Sequence, residues 1–127
     1  MRAKIILATL LILAPITAAS AQDVERFLAR AETLIRRGPF ALFSPDFYRL
    51  KALVEANGEE LKAEYAREKA LGNRTAFCPP KTDKPRVGKT EYLAALRAVP
   101  VGHRATTDTR EVLRSVLEKK YPCDRAS

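Results

Sequence analysis

Between residues 24 and 35 the apolar side chains Val24, Phe27, Leu28, Ala31, Leu34 and Ile35 fall at steps of three, one, three, three and one, which places them on one stripe of an α-helix. Arg36 and Arg37 suit the negative end of that helix, and Gly38-Pro39 stops it. Phe40, Leu42 and Phe43 follow as an apolar linker. Leaving three large side chains in water is costly, so the linker is expected to tuck into the core. Ser44-Pro45-Asp46 then has the chemistry of a helix start: a hydroxyl for free amides, proline at the first helical position and an acid in the first turn. Phe47, Leu50, Val54, Leu61 and Tyr65 keep helical phase across Asn57-Gly58, which predicts one long helix over residues 47–71. A break at Asn57-Gly58 is the alternative, because glycine inside a helix costs about 1 kcal/mol. Gly72-Asn73 supplies the stop.

From Arg74 to Lys89 the periodicity dissolves into prolines, Gly88 and a basic excess, the pattern of an ordered surface loop pinned at Cys78. Thr90 is expected to cap a short helix that turns Tyr92, Leu93, Leu96 and Val99 inward and ends at Pro100. Asp108 and Glu111 form a D-x-x-E box ahead of a last helix, with Val112, Leu113, Val116, Leu117 and Tyr121 inward and Pro122 as terminator. No stretch alternates with period two and no segment repeats. The fold class is therefore all-α, a compact bundle of four to five helices.

The N-terminus changes the compartment. Arg2 and Lys4, an apolar run of 12 residues from Ile5 to Ile16, and Ala19-Ser20-Ala21 make the three-part pattern of a secretory signal peptide over residues 1–21. The run is well short of the roughly 20 residues a spanning helix needs. Cleavage after Ala21 would leave a single helical domain of residues 22–127; an uncleaved anchor is the alternative. The formal charge of +8 is unevenly spread: 6 basic and 7 acidic residues from Gln22 to Glu60, against 15 and 8 from Leu61 to Ser127. Nucleic acid is not expected as partner, since the aromatics are not interleaved with the basic residues as a stacking platform requires. An acidic protein or an anionic envelope surface fits the charge, and so does a solvated surface that only aids solubility.

Export bears directly on the two cysteines, Cys78 and Cys123. In an oxidising compartment they are expected to pair and tie the proline-rich loop to the end of the last helix. A redox pair or a metal site is the alternative reading, but there is no C-x-x-C, and His103 alone cannot complete a zinc set. No metal or cofactor is expected. Nor is catalysis: Ser44 or Ser115 with His103 has no G-x-S-x-G context, and Glu59, Glu60 and Glu64 alternate with Lys62 and Arg67 as on a solvated helix face.

Phe77-Cys78-Pro79-Pro80, the helix around Glu91-Tyr92-Leu93, Val99-Pro100 and the closing Tyr121-Pro122-Cys123 together resemble the Rap/Tai family of bacterial immunity proteins, over 47 residues from Phe77 to Cys123. The first half lacks the further cysteine and Gly-rich segment of many members. The resemblance implies a small all-α protein of the periplasm that binds and sterically blocks a secreted peptidoglycan amidase delivered by type VI secretion. It needs no catalytic residue. A binding surface on the disulfide-framed half would use Lys81, Lys84, Arg86, His103 and Arg104. The runner-up is a periplasmic helical binding module of envelope upkeep with no toxin partner. Whether either acts as a homodimer is open.

Overall fold

Asp23 caps α1 (Val24–Arg37), its carboxylate accepting the Arg26 amide at 2.9 Å, in a computed structural model that describes residues 22–81 and 85–124. The leader reading on residues 1–21 lies outside those residues, as does Lys84. Gly38 ends the helix at φ 63, a left-handed conformation that glycine adopts without Cβ strain, and returns its amide to the Ile35 carbonyl. A 3-10 segment, Gly38–Phe43, leads to Ser44, whose hydroxyl accepts the Asp46 amide at 3.3 Å and opens α2 (Pro45–Ala70). The helix runs unbroken through Asn57-Gly58, as the phase of its apolar residues predicts. It ends as the sequence indicates: Gly72 at φ 71 donates to Lys69, and Asn73 reaches back to Glu68, the paired bonds of a Schellman motif.

After the loop come α3 (Lys89–Ala98), a second 3-10 segment (Val101–Thr106) and α4 (Thr109–Lys120). Four α-helices and two 3-10 segments thus make an all-α bundle, with no strand among the described residues. The one extended contact is a bridge between the N-caps of α1 and α4. Val24 donates to the Thr107 carbonyl at 2.9 Å and Thr109 to Gln22 at 3.0 Å, so each helix start places a free amide on the segment preceding the other.

Val24, Leu61 and Leu96 are the most enclosed apolar side chains, joined by Phe27, Leu28, Leu50, Leu53, Phe77, Leu113 and Leu117. At the centre is a polar knot. Asn57, 1 % exposed, donates to the Thr109 hydroxyl at 3.0 Å, and the Tyr92 hydroxyl donates to the Thr109 carbonyl at 3.0 Å. Tyr92 also meets Phe27 edge-on at 5.9 Å, so one residue of α3 binds α4 by hydrogen bond and α1 by ring contact. Burial pushes its phenol up to about 12, because a phenolate there would lose its water.

Four expectations fail for local reasons. Phe40, Leu42 and Phe43 do not enter the core: they are 77 %, 54 % and 84 % exposed, because the short 3-10 helix turns only Ala41 inward. Ile35, at the edge of the α1 stripe, is half exposed. Thr90 is not the cap of α3; the cap is Gly88, two residues earlier, whose amide is held by the Glu91 carboxylate at 3.3 Å. Asp108 does cap α4, accepting the Arg110 amide at 2.8 Å, but the Glu111 carboxylate turns to Arg114 instead of reaching back.

Glu60 and Glu64 are also not simply a solvated face. They bond Arg110 and Arg114 of α4, each at 2.6 Å, and the matched order of the two pairs shows that the second half of α2 runs parallel to α4. Hydrogen bonds to Glu64 and then Glu111 hold the Arg114 guanidinium well above its usual pKa, and Glu60 does the same for Arg110.

Candidate functional site

The sequence places its chemistry on the C-terminal half, which is built around a disulfide. Cys78 and Cys123 are bonded, with Cα atoms 4.9 Å apart. Tyr121 holds the loop at two further points: its carbonyl accepts the Cys78 amide at 2.8 Å, and its hydroxyl accepts the Arg86 amide at 3.1 Å. Phe77 is buried beneath the loop and stacks on Tyr65 at 5.5 Å. The described ends of the connector are therefore anchored, Phe77 on α2 and Cys78 and Arg86 on the end of α4 through the disulfide and Tyr121.

Four of the five residues proposed for partner binding, Lys81, Arg86, His103 and Arg104, lie among the described residues. Lys81 and Arg86 are exposed on the loop. His103 is exposed on the second 3-10 segment, where its carbonyl accepts the Thr107 hydroxyl at 2.7 Å. Arg104 spends its guanidinium on the end of α3, donating to the Val99 and Arg97 carbonyls at 2.8 Å each. Those carbonyls lack helical partners, so Arg104 acts as a C-terminal cap.

A larger concave feature lies elsewhere among the described residues, and Val87 of the loop lines one side of it. A groove of about 580 Å³ runs between α1, the first 3-10 segment, the first half of α2 and the start of α3. Phe27, Ala31, Leu34 and Ile35 come from one side, Phe47, Leu50 and Val54 from the other, Ala41 and Leu42 from the 3-10 turn, and Val87 from the loop. Gly38 and Gly88 line it where the chain turns. Tyr92 and Leu113 contribute from the core, but the Tyr92 hydroxyl is already committed to Thr109. Among the described residues three charged side chains take part: Lys51, Glu55 and Lys89. Lys51 and Glu55 lie 3.8 Å apart, both more than half exposed, in a contact of little energetic weight.

This lining is what a small-molecule site requires: a volume within the usual range of roughly 300–1,000 Å³, mostly apolar walls, and few polar groups. Phe40, Phe43 and Tyr48, on and just after the 3-10 turn, are also exposed, so large apolar side chains cluster at this end of the fold. Contiguous exposure of this kind is uncommon away from binding surfaces. The signal was present in the sequence. Adjacent Leu34 and Ile35 widen the α1 stripe, and Phe40, Leu42 and Phe43 add more apolar bulk than a six-residue turn can bury.

No family model, curated protein or solved structure matches this chain.

Proposed function

We propose that the chain is a non-catalytic binding protein of the exported envelope compartment, and that it works by holding an apolar ligand in the groove between α1, α2 and the disulfide-pinned loop. The observation that carries this reading is the groove itself: about 580 Å³ of mainly aliphatic and aromatic lining in a domain of modest size. Its walls are held by covalent and hydrogen-bonded anchors, since Val87 lies one residue from the Arg86 amide fixed by Tyr121. A preorganised wall loses little conformational entropy when a ligand docks. Envelope upkeep with no toxin partner is the corresponding biological setting. N-phenyl-1-naphthylamine, an uncharged fluorescent probe, tests the proposal. Fluorescence enhancement saturating at one probe per chain, and lost in Ile35→Asp with helicity retained, is expected; a chain that leaves the probe dark contradicts it.

A second reading keeps the resemblance to amidase-blocking immunity proteins. What favours it is the Cys78–Cys123 bond, which presents Lys81 and Arg86 on a rigid frame. In this reading the exposed loop enters the active-site cleft of a secreted peptidoglycan amidase and excludes its substrate sterically. Co-expression with periplasmic amidases distinguishes the two. Rescue from lysis that is lost in Lys81→Glu plus Arg86→Glu supports inhibition through the loop, and no rescue from any amidase leaves the groove reading alone.

A further inference from the structure

The charged residues around the groove indicate what kind of apolar ligand it takes. We propose that the occupant is a monomeric single-chain amphiphile with an anionic head, of the long-chain carboxylate class, its tail along Leu34, Ile35, Leu50 and Val54 and its head at Lys51 and Lys89. This inference rests on the groove being a binding site and adds the ligand's chemistry.

Lys51 and Lys89 line the groove against one acid, Glu55. The Lys51–Glu55 contact is long, and both side chains are more than half exposed, so Lys51 remains available to another anion. Lys89 has no ion-pair partner among the described residues, although it stands two positions from an acid. That acid, Glu91, is turned away: its carboxylate holds the Gly88 amide at 3.3 Å and the Lys120 ammonium at 3.1 Å, and the bond to Lys120 keeps it below the usual carboxylate range. The described lining thus combines a long apolar wall with a net positive charge, two lysines against one acid.

The same charges argue against a second copy of the chain as occupant. A two-fold interface brings the patch onto a copy of itself, so two linings of the same net positive charge would meet across an apolar, desolvated contact. A cationic amphiphile meets the same repulsion, on a chain whose formal charge is already +8. A neutral alkyl chain gains the apolar contacts but gives neither ammonium group a new partner.

The test is displacement of bound N-phenyl-1-naphthylamine from the full chain by dodecanoate, dodecan-1-ol and dodecyltrimethylammonium, all below their micelle concentrations. Dodecanoate is expected to compete at a concentration about tenfold or more below that of the cation, with the alcohol between them. Lys51→Glu plus Lys89→Glu should remove or reverse that order, read as the ratio of dodecanoate to dodecan-1-ol competition within the same variant. Equal competition by all three heads, or an order that survives the double variant, overturns the head-group assignment while the groove stands. A chain that never binds the probe overturns the groove reading itself.

Discussion

The face between α2 and α4 and the groove beside α1 are built from the same long helix, yet they satisfy their side chains in opposite ways. On the first face Glu60 and Glu64 meet Arg110 and Arg114, Asn57 meets Thr109, and Phe77 is buried below a loop held by a disulfide. On the second, Ile35, Leu42, Phe40 and Phe43 remain more than half exposed around an apolar depression. Beside the first half of α2, α1 and the 3-10 turn therefore leave apolar side chains exposed, while its second half is covered by α4 and the loop. On the proposed reading, stability and binding fall to two different regions, and a substitution should change one far more than the other.

The largest effect should come from the staple. Its two residues are 45 positions apart, and chain entropy alone gives such a cross-link about 4 kcal/mol. Cys78→Ala plus Cys123→Ala is expected to lower the unfolding free energy by that order in urea melts. It should also weaken probe binding, because the Val87 wall is set by the same loop. Unchanged stability would remove the disulfide from the account.

Next is the alkaline response of the polar knot. The Tyr92 phenol is raised from the ordinary value of 10 to about 12, so the protonated form is favoured in the folded chain. Its contribution is fully present below pH 10, where folded and unfolded chains both keep the proton. It is lost as pH rises from about 10 to 12, by up to roughly 3 kcal/mol. Equilibrium denaturation across that window should show the fall, and Tyr92→Phe, weaker at neutral pH for want of its bond to Thr109, should show less of it. Equal slopes for the two proteins would place the alkaline sensitivity elsewhere.

Arg114→Ala belongs lower on the scale. It frees Glu64 and Glu111 at a site only partly shielded from water, for an expected loss of about 1 kcal/mol that shrinks at high salt. A salt-independent loss would point to packing by the arginine stem. The smallest effect on stability is expected at the other face. Phe40→Ser plus Phe43→Ser should stay within about 0.5 kcal/mol of the parent in the same melts, since both rings are already in water. A loss of several kcal/mol would mean that the two faces are not separate.

Much of the helical layout was legible because it rests on local rules. Ser44-Pro45-Asp46 opened α2, Gly72-Asn73 closed it, and Val54 to Leu61 carried its phase across Asn57-Gly58. The illegible parts depend on partners distant in sequence. Asn57 reads locally as a helix breaker, and only Thr109, 52 residues away, makes it a core residue. Glu60 and Glu64 read as solvated beside Lys62, and only a parallel α4 turns them into links between helices. The apolar turn misled in the other direction. Burial was inferred from the cost of exposing Phe40, Leu42 and Phe43, but the chain leaves them exposed at one end of the fold, beside its groove.

The most direct measurement is methyl NMR of the full chain during titration with dodecan-1-ol, which tests the groove without reference to the head group. Shifts concentrated on Leu34, Ile35, Leu42, Leu50, Val54 and Val87, and absent from Val116 and Leu117, are the expected result. A spectrum that does not move, or that moves first along α4, contradicts the account.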